Sequence, residues 1–353
     1  MGGLLTTVRR ARLDREAQLI ERIASAVPSH KGAIHVGGVS LGIGDDAAIL
    51  ASGRNTEWVL SCDAFLEGVH FLAESHPPDS VGYKSLVRAT SDLAAMGAKP
   101  RLFLLTLALP ARLTGKWLDE FLRGMRRAAR LLGMWLVGGD TTKSATVSIS
   151  ITVLGEVTRG QAVRRSGAQP GDILFVSGRL GRAQLGLELT KSSGRRAISR
   201  LARSQSRLLQ PHLYPNIPVE LGAWLARHKI ASAMMDISDG LSTDLARLCQ
   251  ASGVGARLKA ERIPCVKLPI ARTGPLRKLR LDPMQLALHG GEDYELLFTV
   301  PPAQVKHLRG APDVREITAI GEIERGKYVT LIRADGRSEA LDSGGWDPFQ
   351  RNE

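Results

Sequence analysis

The 353 residues predict a two-domain α/β (α+β) protein, on three observations. At roughly 100–200 residues per domain the length suits two domains. Apolar strips of strand length alternate with amphipathic stretches of helical period in both halves, the signature of mixed sheet and helix layers. Between the halves, 158–170 collects Gly160, Gly167, Pro170 and the adjacent Arg164 and Arg165, which places a boundary near residue 165. With 43% hydrophobic and 24% charged residues the chain can bury a sizeable core and is neither disordered nor fibrous.

The elements follow in order. Residues 16–27 carry Leu19, Ile20, Ile23, Ala24 and Val27 at helical spacing. A glycine-rich segment, 37–44, precedes a strand at 47–51. A second strand, 58–62, ends at Asp63. Residues 80–96 predict a helix stopped by Gly97, and 101–109 a strand. Residues 115–132 predict a helix with Leu118, Phe121, Leu122, Met125, Ala129 and Leu132 on one face. A short strand at 135–137 is closed by Gly138, Gly139 and Asp140. Residues 146–157 alternate Val147, Ile149, Ile151 and Val153, a half-buried strand. Beyond the boundary the expectation is a strand at 173–177 and helices at 182–191, 198–209 and 218–228. A strand at 231–235 ends at Asp236; then come a helix at 242–252 and strands at 296–300, 316–323 and 328–333. The stretch 267–283 reads as an insertion or a divergent loop. Both halves share a rough plan, a strand ending in acidic residues followed by a helix. The domains are therefore set at 1–160 and 165–341, with a tail at 342–353.

The charge is unusual: 48 Lys and Arg against 35 Asp and Glu, a net +13. Such a balance raises nucleic acid or an anionic membrane as partner. It is concentrated, however, in 179–207 and 257–280, each with eight basic residues against one acidic. These read as solvated faces able to draw in anionic substrates. Aromatics at 5% argue against stacking on single strands, so no specific nucleic-acid partner is expected. Cys62, Cys249 and Cys265 form neither a C-x-x-C pair nor a disulfide framework, which fits a reduced compartment. No apolar run reaches the roughly 18 residues of a membrane span, and 1–15 lacks a signal-peptide apolar core. The expected setting is the cytoplasm, without a membrane partner.

Acidic residues recur beside Gly or Ser at the ends of apolar strips. They are Asp45 and Asp46 after Gly42-Ile43-Gly44, Asp63 after Ser61-Cys62, Asp92 after Thr90-Ser91, and Asp140 after Gly138-Gly139. Asp236 and Asp239 flank Ile237-Ser238, and Glu292-Asp293 follow Gly290-Gly291. Carboxylates that converge at strand ends repel one another unless cations separate them, and an all-oxygen set suits Mg²⁺ with phosphate oxygens completing the shell. Neighbouring glycines admit phosphates to backbone N–H groups. A single Asp beside Gly is more often a turn or a helix cap, and Asp239 would serve as a cap for the helix at 242–252; their number in one chain favours a Mg-nucleotide site. The familiar alternatives are absent: no P-loop, since Gly115-Lys116 leads into Trp117; no protein-kinase loop set and no G-x-S-x-G elbow; no zinc-spaced His pair. Gly42-x-Gly44-x-x-Ala47 mimics a dinucleotide fingerprint but puts two carboxylates against the pyrophosphate.

Taken together, eight strings resemble the thiamine-monophosphate kinase family, within the superfamily of aminoimidazole ribonucleotide synthetase. They are Gly42-Ile-Gly-Asp-Asp-Ala-Ala48, Ser61-Cys-Asp63 with Glu67-Gly-Val-His-Phe71, Ser91-Asp-Leu-Ala-Ala-Met-Gly-Ala98 and Gly138-Gly-Asp-Thr-Thr142. Arg165-Ser-Gly-Ala168, Asp236-Ile-Ser-Asp-Gly-Leu241, Gly290-Gly-Glu-Asp-Tyr-Glu-Leu296 and Gly344-Gly-Trp-Asp-Pro-Phe349 follow in order. The resemblance implies an N-terminal ATP- and Mg-binding domain that pairs into a homodimer through a β-barrel-like interface, a C-terminal α/β domain, and a tail that reaches the substrate. It implies transfer of the ATP γ-phosphoryl group to thiamine monophosphate, the last step of thiamine diphosphate synthesis, with several Mg²⁺ ions. Asp46, Ser61, Cys62, Asp63, Asp92, Asp140, Asp236 and Asp239 would hold metal. Ser61, Gly139, Asp140, Arg165 and Ser238 would hold ATP, and His70, Glu292 and Trp346 the substrate, with Asp92, Asp140, Asp239 and Arg165 closest to the reaction. Position 62 is Cys where the family usually has Thr: a carbonyl ligand survives that change and a hydroxyl ligand does not.

The chemistry follows from the acceptor. A phosphate monoester, with a second pKa near 6, is mostly dianionic at neutral pH and needs no general base. Catalysis then rests on in-line positioning and charge neutralisation, in preference to an aspartyl-phosphate intermediate. The rivals are other superfamily enzymes and a basic nucleic-acid-binding protein. Selenophosphate synthetases generally place a reactive Cys near a glycine-rich N-terminus, and no Cys precedes Cys62 here. Hydrogenase-maturation proteins end in Cys, and the sequence ends Gln-Arg-Asn-Glu.

Overall fold

The computed structural model of the chain describes residues 39–41, 45–52, 55–74, 76–193, 206–268 and 280–349. The helix expected at 16–27, most of the glycine-rich 37–44, the first part of 198–209 and most of 267–283 lie outside the described residues.

Two β-sheets carry the architecture. The first is formed by β1 (Val39–Leu41), β2 (Ala48–Ser52), β3 (Thr56–Leu66), β4 (Lys99–Leu109), β5 (Trp135–Lys143) and β6 (Ser148–Thr158), in the order β1-β2-β3-β6-β4-β5. Helix α1 (Pro78–Ala95) joins β3 to β4, and α2 (Lys116–Leu132) joins β4 to β5. β4 and β5 run parallel, so a crossover is obligatory and α2 supplies it. Strict alternation along β6 sends Ile149, Ile151 and Val153 under the two helices, where they meet Phe103, Leu105, Leu86, Leu93 and Phe121. On the other face Cys62, Ala64, Leu104 and Thr106 are exposed, and β5 is exposed along its whole length. β5 is longer than the sequence suggests. It continues through Gly138, Gly139 and Asp140 to Lys143, with a bulge where Gly138 rather than Val137 pairs with Leu104.

The second sheet comprises β7 (Ile173–Val176), β8 (Ala233–Ile237), β9 (Gly255–Lys259), β10 (Glu295–Val300), β11 (Thr318–Glu324), β12 (Val329–Ile332) and β13 (Ser338–Ala340). Its order is β13-β12-β9-β11-β7-β10-β8. Around it lie α3 (Arg182–Ser193), α4 (Ser206–Leu213), α5 (Val219–Arg227), α6 (Leu241–Ser252) and α7 (Pro283–His289). Both faces are covered. Val176, Met235 and Leu297 pack with Leu241, Leu245 and Leu248 of α6 on one side. Phe175, Met234, Leu296 and Phe298 pack with Leu221 and Leu225 of α5 on the other. Double coverage is why these strands read as continuous apolar runs.

α1 is the element that places the site. Leu86 and Leu93 belong to the core of the first half, while Ala95 joins the α5 core of the second. Fourteen of its 18 residues are buried, so polar side chains on this helix are held between the two halves. Among the described residues, no helix is long and apolar enough to cross a membrane.

Candidate active site

Three carboxylates from three elements meet where α1 passes β8. Asp46 precedes β2, Asp92 lies on α1 and Asp236 on β8, and one oxygen of each lies within 4.8 Å of the others. Ser61 on β3 donates to Asp92 Oδ2, and Ser91 donates to Asp236 Oδ2 at 2.6 Å across the two halves. Arg165 Nη2 donates to Asp46 Oδ1 at 2.6 Å. The Asp46 side chain is sealed from solvent, yet its Oδ2 has no hydrogen-bond partner. Burial, then mutual repulsion, raises the Asp92 carboxyl well above the carboxylate range and brings Asp236 to about 7. Asp45 is pushed up to about 6 by burial and by Asp46, although it accepts the N–H groups of Asp46 and Arg165. An unpartnered buried oxygen among crowded carboxylates, with one guanidinium as counter-charge, is an arrangement that accepts a hard cation.

A second group lies alongside. Arg88 forks onto Asp63, Nε to Oδ2 at 2.6 Å and Nη2 to Oδ1 at 3.1 Å. His70 Nδ1 accepts the Leu66 N–H at 3.0 Å, leaving its proton on Nε2. Burial, then the Arg88 charge, lowers its pKa to about 4, so the ring is neutral near pH 7. Lys84 Nζ lies 2.7 Å from Glu292 Oε2.

The turn after β8 gathers the remaining parts. Asp244 Oδ2 accepts the N–H groups of Ser238, Asp239 and Gly240, which sets the turn at the start of α6. Asp239 does not cap this helix with its side chain; its carboxylate pairs with Arg247. The Ser238 carbonyl accepts from Glu292 N–H at 2.7 Å, and the Asp239 carbonyl from Trp346 N–H at 3.0 Å. The tail docks here through Gly344 and Gly345, which donate to Ser242 and Thr243. A Cβ on Gly345 would lie 2.1 Å from the Asp239 carbonyl oxygen, so only glycine permits this approach. Trp346 itself is half exposed.

The structure thus brings together Asp46, Ser61, Asp92, Arg165 and Asp236, and sets Asp63, His70, Ser238, Asp239, Glu292 and Trp346 around them. It does not bring Gly139 or Asp140 to this centre: both lie on the exposed edge strand β5. Cys62 Sγ contacts Ser150 and Thr152 Oγ atoms at 3.4 Å, on the sheet face opposite the one from which Ser61 and Asp63 reach α1. Only its backbone remains on the Ser61 side. Lys84, Arg88, Ser91, Asp244 and Arg247 were not singled out by sequence. The signal for the first two was present: Lys84, Arg88 and Asp92 are spaced by four, one stripe of one helix.

Comparison with known proteins defines the class first. Residues 44–157 match the N-terminal domain of AIR synthase related proteins, and 169–333 match their C-terminal domain. Thiamine-monophosphate kinase of Bacillus subtilis is 33% identical over 321 residues, covering 90% of this chain and 96% of that protein. Its Escherichia coli K12 counterpart is 36% identical over 317 residues, covering 88% and 92%. A solved structure of AaThiL complexed with AMPPCP and TMP superposes with a TM-score of 0.78 at 33% identity, covering 98% of this chain and all of that one. The chain belongs to the thiamine-monophosphate kinase family.

Proposed function

We propose that this protein is an ATP-dependent kinase that phosphorylates thiamine monophosphate to thiamine diphosphate, releasing ADP. The observation that carries the reading is the meeting of Asp46, Asp92 and Asp236, drawn from both halves of a chain of this family, around an unpartnered buried carboxylate oxygen. AMPPCP, bound with TMP in the AaThiL structure, is an ATP analogue with a methylene between its β and γ phosphorus atoms.

All donors at the centre are oxygen, so the residues fit Mg²⁺; Asp46, Asp92 and Asp236 would hold it, with Ser61, Asp63, Asp239 and the Cys62 carbonyl around them. Bound there, Mg²⁺ would neutralise charge on the polyphosphate during transfer. Arg165, whose Nε has no partner, offers a planar donor to the nucleotide, and Ser238 lies at the turn beside Asp239. Glu292 and Trp346 flank that same turn, a position that supports their contacting the thiamine rings in this reading. His70, neutral and protonated on Nε2, donates a hydrogen bond there rather than acting as a base.

Gly139 and Asp140 enter through a homodimer. β5 is an edge strand with Trp135 75% exposed beside exposed Leu136 and Val137, a surface that a second copy would cover. Light scattering should give twice the 38.1 kDa chain mass, and a monomer would remove this part of the proposal. We place the protein in the cytoplasm, in 1–160, 165–341 and 342–353 as N-terminal, C-terminal and tail units. ADP release with thiamine monophosphate, thiamine and aminoimidazole precursors tests the activity. Turnover specific to thiamine monophosphate is expected, and turnover with an aminoimidazole precursor instead would overturn it.

A further inference from the structure

Glu292 is built to stay charged and to point one way. Its backbone sits at φ +67°, a conformation rare for a residue with a Cβ, and its N–H is committed to the Ser238 carbonyl. Its Oε2 is held twice, by Lys84 Nζ at 2.7 Å and by His212 Nδ1 at 3.2 Å. Lys84 is 3% exposed and His212 1% exposed, so neither contact is screened by water as a surface pair would be. Oε1 has no partner among the described residues and is not sealed from solvent.

The histidine contact is the weaker one. His76 Nδ1 lies 3.1 Å from the Leu72 nitrogen and 3.3 Å from the Leu72 carbonyl oxygen, and its Nε2 lies 3.4 Å from His212 Nε2. His212 Nδ1 faces Glu292 Oε2 without completing a hydrogen bond. Lys84 is accordingly the dominant partner. Burial alone would raise a carboxyl, but Lys84, then His212, hold Glu292 below the usual carboxylate range.

We propose that Lys84 is a positioning residue for substrate recognition: from α1 it fixes Glu292 as a carboxylate and presents Oε1 to the cationic ring system of thiamine. The assignment rests on Glu292 being in the substrate site. Lys84 lies in the first half and Glu292 in the second, so the pair also joins the halves, and that purely structural role is the rival explanation. A double-mutant cycle separates them. The test compares the full-length enzyme with K84M, E292Q and K84M/E292Q, reading KM for thiamine monophosphate, KM for ATP, kcat and Tm. Each single change should raise KM for thiamine monophosphate roughly 10- to 100-fold, the size of a lost charged hydrogen bond. KM for ATP should stay within about 2-fold, and the double variant should be no worse than E292Q. If E292Q leaves KM for thiamine monophosphate unchanged, the substrate-site assignment fails. If E292Q raises it while K84M does not, or if the two effects multiply, Lys84 acts only in the fold and the inference is overturned. K84Q, with a shorter neutral donor, carries the same expectation at reduced size and replaces K84M if buried methionine is not accommodated.

Discussion

At Asp92 and Asp236 the stability of the metal-free fold and the proposed cation site pull in opposite directions. Each is a buried carboxyl crowded by like charges, with a pKa raised by burial first and by its neighbours second. Asparagine keeps the shape and can still accept from Ser61 or Ser91 while removing the charge. Asp92→Asn and Asp236→Asn should therefore raise the Tm of metal-free protein and lower kcat roughly 10²-fold or more, the scale of a lost electrostatic stabiliser. Calorimetry and ADP release at saturating Mg²⁺ measure the two effects; near-normal turnover in both variants would remove the metal assignment. Most of this centre was legible, because Asp46, Asp63, Asp92, Asp236 and Asp239 each carry Gly or Ser neighbours. The Lys84–Arg88–Asp92 spacing was visible but points the other way, because charges along a helix ordinarily mark a solvated face. What inverts that rule is the burial of α1 on nearly every side, which no local pattern reveals. Cys62 illustrates the other limit. Period-two geometry turns its thiol away from Ser61 and Asp63, but only the structure shows which of the alternating residues face α1.

Among the elements, α1, α2, β4 and β6 were readable because their periodicity is long and their faces are distinct. β5 was readable only as far as Val137: glycine is a poor strand former, so Gly138 and Gly139 read as a stop. The parallel ladder with β4 decides otherwise, and Gly139 suits it, since a Cβ there would lie 1.8 Å from the Leu105 carbonyl oxygen. β9, β13 and α7 were also missed, being three to seven residues long and too short to show a period. The tail is an element without secondary structure that is held by docking. Its N–H groups at 344, 345 and 346 bind Ser242, Thr243 and the Asp239 carbonyl. Trp346→Ala leaves these bonds in place and should raise KM for thiamine monophosphate about 10-fold, the size of a lost aromatic stack with its buried area. Truncation after Asp342 removes the strap on Asp239 as well and should lower kcat in addition. Equal kinetics for the two variants would show that the strap does nothing beyond carrying the ring.

For the molecule as a whole, the proposed cation site lies at a junction, so a cation bound there would be coupled to the cohesion of the two halves. Asp236 of the second half is hydrogen-bonded to Ser91 of the first and crowded by Asp46 and Asp92. Its pKa of about 7 lies above the ordinary aspartate value of 3.8. Between those two values the folded metal-free protein binds more protons than the unfolded chain, so this group's contribution to stability falls as pH rises through that window. A cation competes with protons for the same oxygens. The gain in Tm on adding Mg²⁺ should accordingly be small near pH 5 and grow toward pH 8, and EDTA should abolish it. His70 and His76, with pKa values near 4, titrate with the opposite sign: they stabilise fully above about 6.5 and lose that contribution as pH falls. They are shared by loaded and metal-free protein and do not ligate the cation, so to first order they cancel in the difference. Asp236→Asn should flatten the pH dependence of the Mg²⁺ gain as well as reduce its size. Scanning calorimetry at a series of pH values, with Mg²⁺ and with EDTA, measures it. A gain that is independent of pH, or unchanged in Asp236→Asn, would mean that the cation binds elsewhere and that the carboxylate junction holds the halves together without it.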